Sequence, residues 1–131
     1  MTVEELLELP TIKGLKLISG NLGVHREIST VTVVDTPDGF QWLKGNEVVI
    51  TTTYALEKTP NAFLDFISKL LSRNISALIV KSDRYIKVIP ENAKKLCDEK
   101  ALPLIYCPAI YAFADIINPT LSGIISNRRS S

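Results

Sequence analysis

Histidine is almost missing from this sequence: His25 is the only one among 131 residues. A dyad or triad built on an imidazole base therefore has one position to use. Its surroundings, Gly23-Val24-His25-Arg26-Glu27, contain no nucleophile elbow, so His25 reads as an exposed loop histidine. Glycine is scarce as well, with 6 residues, and neither GxGxxG nor GxxxxGKS/T follows a strand pattern. That argues against a nucleotide cofactor of the usual kinds. The two cysteines, Cys97 and Cys107, fit neither CxxC nor a zinc spacing, and are expected to be reduced structural thiols. The carboxylates show no metal-ligand pattern; Asp35 and Asp38 sit in a turn, where aspartates cap backbone N–H groups. No catalytic residue, metal or cofactor is assigned. A small hydrolase or isomerase using His25 or Asp35 would need a second acid, base or nucleophile in view.

An excess of charge of one sign is also lacking. Fifteen Lys and Arg face fourteen Asp and Glu, for a net charge of +1. A free-standing nucleic-acid binder usually carries a basic stripe, and the pair Arg128-Arg129 is too short to be one. No direct nucleic-acid contact by this domain is expected. No apolar run approaches the roughly 18 residues of a membrane span, and the acidic opening MTVEELLEL is not a signal peptide. A cytoplasmic location is expected.

What is present is an ordinary globular composition, 46% hydrophobic, in a length suited to one domain. Thr2-Val3-Glu4-Glu5 is a capping box that opens a short helix, stopped by Pro10. Leu15 to Ile18 reads as a strand, and Gly20-Asn21-Leu22-Gly23 as a turn in which both glycines can take positive φ. Ile28 to Val34 is rich in β-branched residues and alternates Ile28, Thr30, Thr32, Val34 against Ser29, Val31, Val33. Phe40 to Leu43 suits one helical turn. Glu47 to Thr51 and Ser76 to Val80 are continuous apolar strands, as when both faces are covered. Between them Thr59 and Pro60 open a helix that Asn74 can end in the left-handed conformation. Pro90 opens another helix, carrying Ala93, Leu96 and Cys97, and Leu102 to Tyr106 is a last strand. Phe113 to Ile125 has helical spacing, with a kink at Pro119 or a restart capped by Asn118. Two successive βαβ units imply a parallel sheet. The expected fold is a single α/β domain, three-layer-like, with a mostly parallel central sheet of about four to five strands flanked by helices. Residues 1–126 form the domain, and 127–131 are a tail or the start of a linker. The final amphipathic helix has little left to pack on, which points to a domain cut from a longer chain or to a helix that pairs with a second copy.

In open α/β sheets ligands bind beyond the carboxyl ends of the strands. Asp35, Thr51, Thr52, Thr53, Lys81 and Ser82 fall at such ends. A carboxylate, hydroxyls and an ammonium there can hold a small polar effector, with Trp42 or Tyr54 as a stacking plate. The candidate effector-binding set is Asp35, Trp42, Thr51, Thr52, Thr53 and Lys81. The competing reading has Trp42 and Leu43 plugging the edge of the core while the threonines cap the next segment.

The same stretch carries a resemblance. Pro37-Asp38, then Trp42-Leu43-Lys44-Gly45-Asn46-Glu47-Val48-Val49-Ile50-Thr51-Thr52, resembles the N-terminal domain of the PucR family, bacterial regulators of purine catabolism and related pathways. Gly20, Gly23 and Arg26, then Leu102-Pro103-Leu104-Ile105 and Phe113-Ala114-Asp115-Ile116-Ile117, extend the match over nearly the whole chain. It departs where Asn46 replaces a second glycine and where His25 stands for a residue that is often acidic. The resemblance implies a non-catalytic sensory domain of a transcription regulator. In the family a middle region and a C-terminal DNA-binding helix-turn-helix usually follow. The alternative is a dimerisation or scaffold module with no ligand of its own. A homodimer is expected on either reading.

Overall fold

The computed structural model describes residues 1–36, 38–52, 61–82 and 89–130, without the side chains of 128–130. Five strands form one sheet: β1 (Lys16–Ser19), β2 (Thr30–Val33), β3 (Glu47–Thr51), β4 (Ala77–Ser82) and β5 (Leu104–Pro108). Their order across the sheet is β1-β5-β4-β3-β2. The β2–β3, β3–β4 and β4–β5 pairs are parallel, and β1 runs antiparallel to β5. The expected α/β domain with a mostly parallel sheet is therefore the fold.

Strand alternation sorts the side chains into two cores. Val49, Leu78, Val80 and Leu104 face one way, where α2 (Ala62–Leu71) and α3 (Glu91–Glu99) cover them with Phe63, Phe66, Ile67, Leu70, Ala93 and Cys97. Val48, Ile50, Ala77, Ile79 and Ile105 face the other way. There α1 (Val3–Leu7) and α4 (Phe113–Ser130) supply Val3, Leu6, Ile116 and Ile124. Both faces of β3 and β4 are buried, which is why those strands read as unbroken apolar runs.

The capping box forms as expected. The Glu5 N–H donates to Thr2 Oγ1 and the Thr2 N–H to Glu5 Oε1. These bonds from the Thr2 backbone, then from its hydroxyl, hold the Glu5 carboxyl below its ordinary range. The caps expected at Thr59 and Pro60 lie outside the described residues, and α2 begins after Asn61. Asn74 takes the left-handed conformation, with φ 56°.

The final helix has Pro119 inside it and does not restart at Asn118; it extends to Ser130, so residues 127–130 are part of it. Pro119 removes one N–H donor, but Ile116, Thr120 and Ile124 are buried at helical spacing on the sheet-facing side. Packing on both sides of the proline thus outweighs its local cost, and Thr120 Oγ1 donates to Ile116 O at 2.7 Å.

The Gly20–Gly23 turn also acts differently from expectation. Only Gly20 has positive φ, at 75°. Gly23 is needed because a β-carbon there would sit 1.9 Å from the Ala101 carbonyl oxygen. The turn thus lies directly on the backbone between α3 and β5. Asp98 Oδ1 accepts the Gly20 N–H at 2.7 Å. Arg26 completes the clamp by donating to Ile75 O and Lys100 O, each at 3.0 Å.

Candidate functional site

β2 is the last strand of the sheet, and its Thr30–Thr32–Val34 side turns toward the α2 layer. A short 3-10 turn, Gly39–Trp42, crosses above that side. Two consecutive residues of left-handed sign, Gly45 (φ 118°) and Asn46 (φ 66°), then return the chain to β3. Asparagine is among the residues that tolerate this region, so Asn46 fills a position where glycine would fit without strain. Glu47 fixes the loop: it is buried, and its carboxylate accepts the N–H groups of Lys44 at 2.6 Å and Gly45 at 2.8 Å.

Leu43 and Trp42 divide the roles expected of them. Leu43 is buried in the α2-side core, whereas Trp42 is 82% exposed. Beside it lies an open groove of about 540 Å³, lined by Thr30, Thr32, Asp35, Thr36, Trp42 and Lys44 among others. Asp35 anchors one end. Its Oδ1 accepts the Thr52 N–H at 2.7 Å, Thr52 Oγ1 at 3.1 Å and Thr51 Oγ1 at 3.2 Å. One carboxylate oxygen is thereby fixed to the end of β3, and Oδ2 makes no hydrogen bond among the described residues.

Asp35, Thr51 and Thr52 are therefore together, with Trp42 on the same groove. Lys81 does not join them. Along β4 it shares a side with Ala77 and Ile79, which face the α4 layer. There its Nζ donates to Ala109 O at 3.0 Å and lies 5.2 Å from the centre of the Phe113 ring. Thr53 and Tyr54 lie outside the described residues. The hydroxyls of Thr30, Thr32 and Thr36 and the Lys44 ammonium were not singled out from sequence. The available signal was two threonines alternating along a strand ahead of Val34, although Ile28, of the same parity, packs in the α4-side core.

His25 is exposed. Both cysteines are free and buried, on opposite sides of the sheet. Burial, then the nearby Asp98, pushes the Cys97 thiol up to about 12. Burial raises Cys107 to about 11, against the pull of Lys81 and with Asp115 adding to the rise. Burial thus keeps both thiols protonated near neutral pH, the form that is a poor nucleophile. The native protein should resist a thiol-disulfide reagent at pH 8 and react at both sites in urea. Both folded-state values lie above the ordinary thiol value of 9.0. Stability from these groups is thus complete below pH 9 and lost as pH rises from there toward 11 and 12. Chemical denaturation of the protein and of a Cys97→Ala/Cys107→Ala variant across that window should show a steeper decline in the former. Fast modification of the native protein at pH 8 would contradict this.

Among the described residues no group of three His, Cys, Asp or Glu side chains gathers as a metal site requires, and no helix is long and apolar enough to cross a membrane.

Comparison with known proteins agrees with the resemblance. Residues 5–124 match the model of the purine catabolism regulatory protein-like family. The chain is 33% identical over 128 residues to the purine catabolism regulatory protein of Bacillus subtilis (strain 168). That alignment covers 98% of this chain and 24% of the relative, so the chain spans about a quarter of the relative's length. With the match running from α1 into α4 and through every strand of the sheet, the chain belongs to the purine catabolism regulatory protein-like (PucR) family.

Proposed function

We propose that this domain is the sensory part of a transcription regulator and that a small polar effector binds in the β2 groove, a metabolite of purine catabolism or a related pathway. Family membership supports the regulatory role. The observation that carries the effector site is the groove itself. An 82% exposed tryptophan stands on the same groove as an anchored aspartate whose second carboxylate oxygen accepts no hydrogen bond among the described residues. An indole so exposed forgoes much of the stabilisation that burial gives an aromatic side chain, which suits a side chain kept for a ligand. The Asp35 Oδ2 atom accepts a hydrogen bond, so the effector presents an N–H or O–H there. Threonine hydroxyls donate or accept, and Trp42 offers a flat apolar surface. Thr51 and Thr52 act as positioning residues that hold Asp35. Lys81 belongs to the opposite side of the sheet and contributes to packing at α4. Among the described residues the groove is lined by no histidine or cysteine that could activate a hydroxyl or attack a substrate, which suits a domain that signals rather than turns over a substrate. The signal passes to a DNA-binding region outside these residues, and the domain makes no nucleic-acid contact itself.

Trp42 is the sole tryptophan, so its fluorescence reports on the groove. Titrating the protein with purine-pathway metabolites should give a saturable change for at least one compound. For that compound, Asp35→Asn should weaken binding by about tenfold or more, about 1.4 kcal/mol, the scale of one hydrogen bond to a charged group. Thr52→Val, which loosens Asp35, should weaken it less. No saturable response, or equal affinity in Asp35→Asn, would contradict the reading. A dimerisation module is the second reading, favoured by a separate feature of β2.

A further inference from the structure

β2 ends the sheet, and no strand among the described residues pairs with its outer edge. Thr30-Val31-Thr32-Val33 contains no lysine, proline or glycine, the residues that blunt edge strands. Thr30 and Val33 are exposed. The Val34 N–H donates to Ile50 O at 2.9 Å, on the β3 side and in step with the β2–β3 register. Because amides alternate in direction along a strand of a parallel ladder, those of Thr30 and Thr32 also turn to β3, and those of Val31 and Val33 point outward.

The charges at the two ends of this edge are opposite. Lys44 lies at the start of β2, where it lines the groove with Thr30 and Glu47. It makes no ion pair among the described residues. Asp35, whose Oδ2 accepts no hydrogen bond among the described residues, lies beyond the end of β2. A strand laid parallel to this edge would set like charges side by side if it came from another copy. A copy laid antiparallel reverses the ends and sets the lysine end of each protomer beside the aspartate end of the other.

We infer that β2 pairs antiparallel with β2 of a second copy, giving a two-fold dimer with one continuous ten-stranded sheet, from five strands in each copy. The axis passes beside Thr32, and the outward N–H and C=O groups of Val31 and Val33 in one copy bond those of Val33 and Val31 in the other. Two-fold closure uses up the edge and leaves no open strand at that end. Trp42 and Val33, exposed in one copy, flank the seam, and the partner strand closes the open side of the groove. The inference rests on the edge and its charges, not on effector binding, and is tested without any effector.

The first test is sedimentation of the protein over a concentration series, with hydrogen exchange at the two ends of the range. A dimer is expected, with the Val31 and Val33 amides exchanging slowly only where it is populated. Val33→Lys places a charge on the edge and should raise the dissociation constant by about tenfold or more. Circular dichroism of that variant shows whether its monomer remains folded. Lys44→Glu and Asp35→Lys should each dimerise poorly alone, and an equimolar mixture should dimerise, because one charge pair is then native and the other is reversed. A monomer at all concentrations overturns the inference. So does a dimer in which the Val31 and Val33 amides exchange freely and the Val33→Lys protein assembles unchanged; that result would move the interface elsewhere, for example to α4. If Asp35→Lys fails to fold, Val33→Lys and the amide exchange still decide.

Discussion

Gly23→Ala should cost the domain about 3 kcal/mol or more and leave much of the protein unfolded. The added β-carbon would lie 1.9 Å from Ala101 O and 2.9 Å from both the Ala101 carbonyl carbon and Pro103 Cδ. The obstacle is backbone and a proline ring, which cannot swing aside as a flexible side-chain tip can. Gly20→Ala should be at least as damaging. Its β-carbon would meet Leu102 O at 1.9 Å and C at 2.3 Å, and its φ of 75° is strained for alanine. Against a typical total of about 5–15 kcal/mol, either change is a large fraction. Gly45→Ala is the control. Its φ is 118°, but the nearest atom to the new carbon is 3.8 Å away, so it carries strain of about 1–2 kcal/mol without a clash. Urea midpoints should therefore rank wild type, Gly45→Ala, then the other two. A Gly23→Ala protein with a wild-type midpoint would mean that the turn does not sit on the α3–β5 backbone.

Arg26→Met should be the next most damaging change, at about 2–4 kcal/mol from two lost charge-assisted bonds to carbonyls. The guanidinium spans Ile75 O, just before β4, and Lys100 O, just after α3. Methionine keeps much of the stem and removes both donors. Lysine presents a point charge rather than a fork, so Arg26→Lys should reach one carbonyl and recover part of the loss. Denaturation of the three proteins measures this. Equal stability of Arg26→Met and wild type would show that the fork contributes nothing net. Neither this clamp nor the glycine turn lines the groove, so these variants test the frame and leave the site itself intact wherever they fold.

These two predictions also show what the sequence makes legible. Gly20, Gly23 and Arg26 stand out as types in a turn, but their partners are far along the chain. Local chemistry suggested positive φ for both glycines; close backbone approach explains Gly23, and that is visible only once β5 is in place. The parallel strands were readable because β3 and β4 are covered on both sides and so lack polar alternation. The antiparallel pairing of β1 with β5 was not, since nothing in Lys16–Ser19 names a partner. At Pro119 a local rule gave way to long-range packing by Ile116, Thr120 and Ile124.

The same division holds for the candidate site. Asp35 and the threonines after β3 were recognisable because they follow strands, and the structure joins Asp35 to Thr51 and Thr52. Lys81 also follows a strand, but strand parity sends it to the α4 side. Which parity faces which helix layer is set by the whole sheet, so a list of strand-end residues mixes both sides. Trp42 and Leu43 are adjacent and diverge completely, one exposed and one buried. A hydrophobic pair at a turn does not reveal which member enters the core.

The most direct test of the central claim is an amide NMR titration of the labelled domain with the metabolites that change Trp42 fluorescence. The account predicts that the largest shifts gather at Thr30, Thr32, Asp35, Thr36, Thr52 and the Trp42 indole N–H, with little change at Lys81 or around Cys107. Shifts centred on the α4 side of the sheet, or spread evenly over the domain with none at the indole, would contradict it.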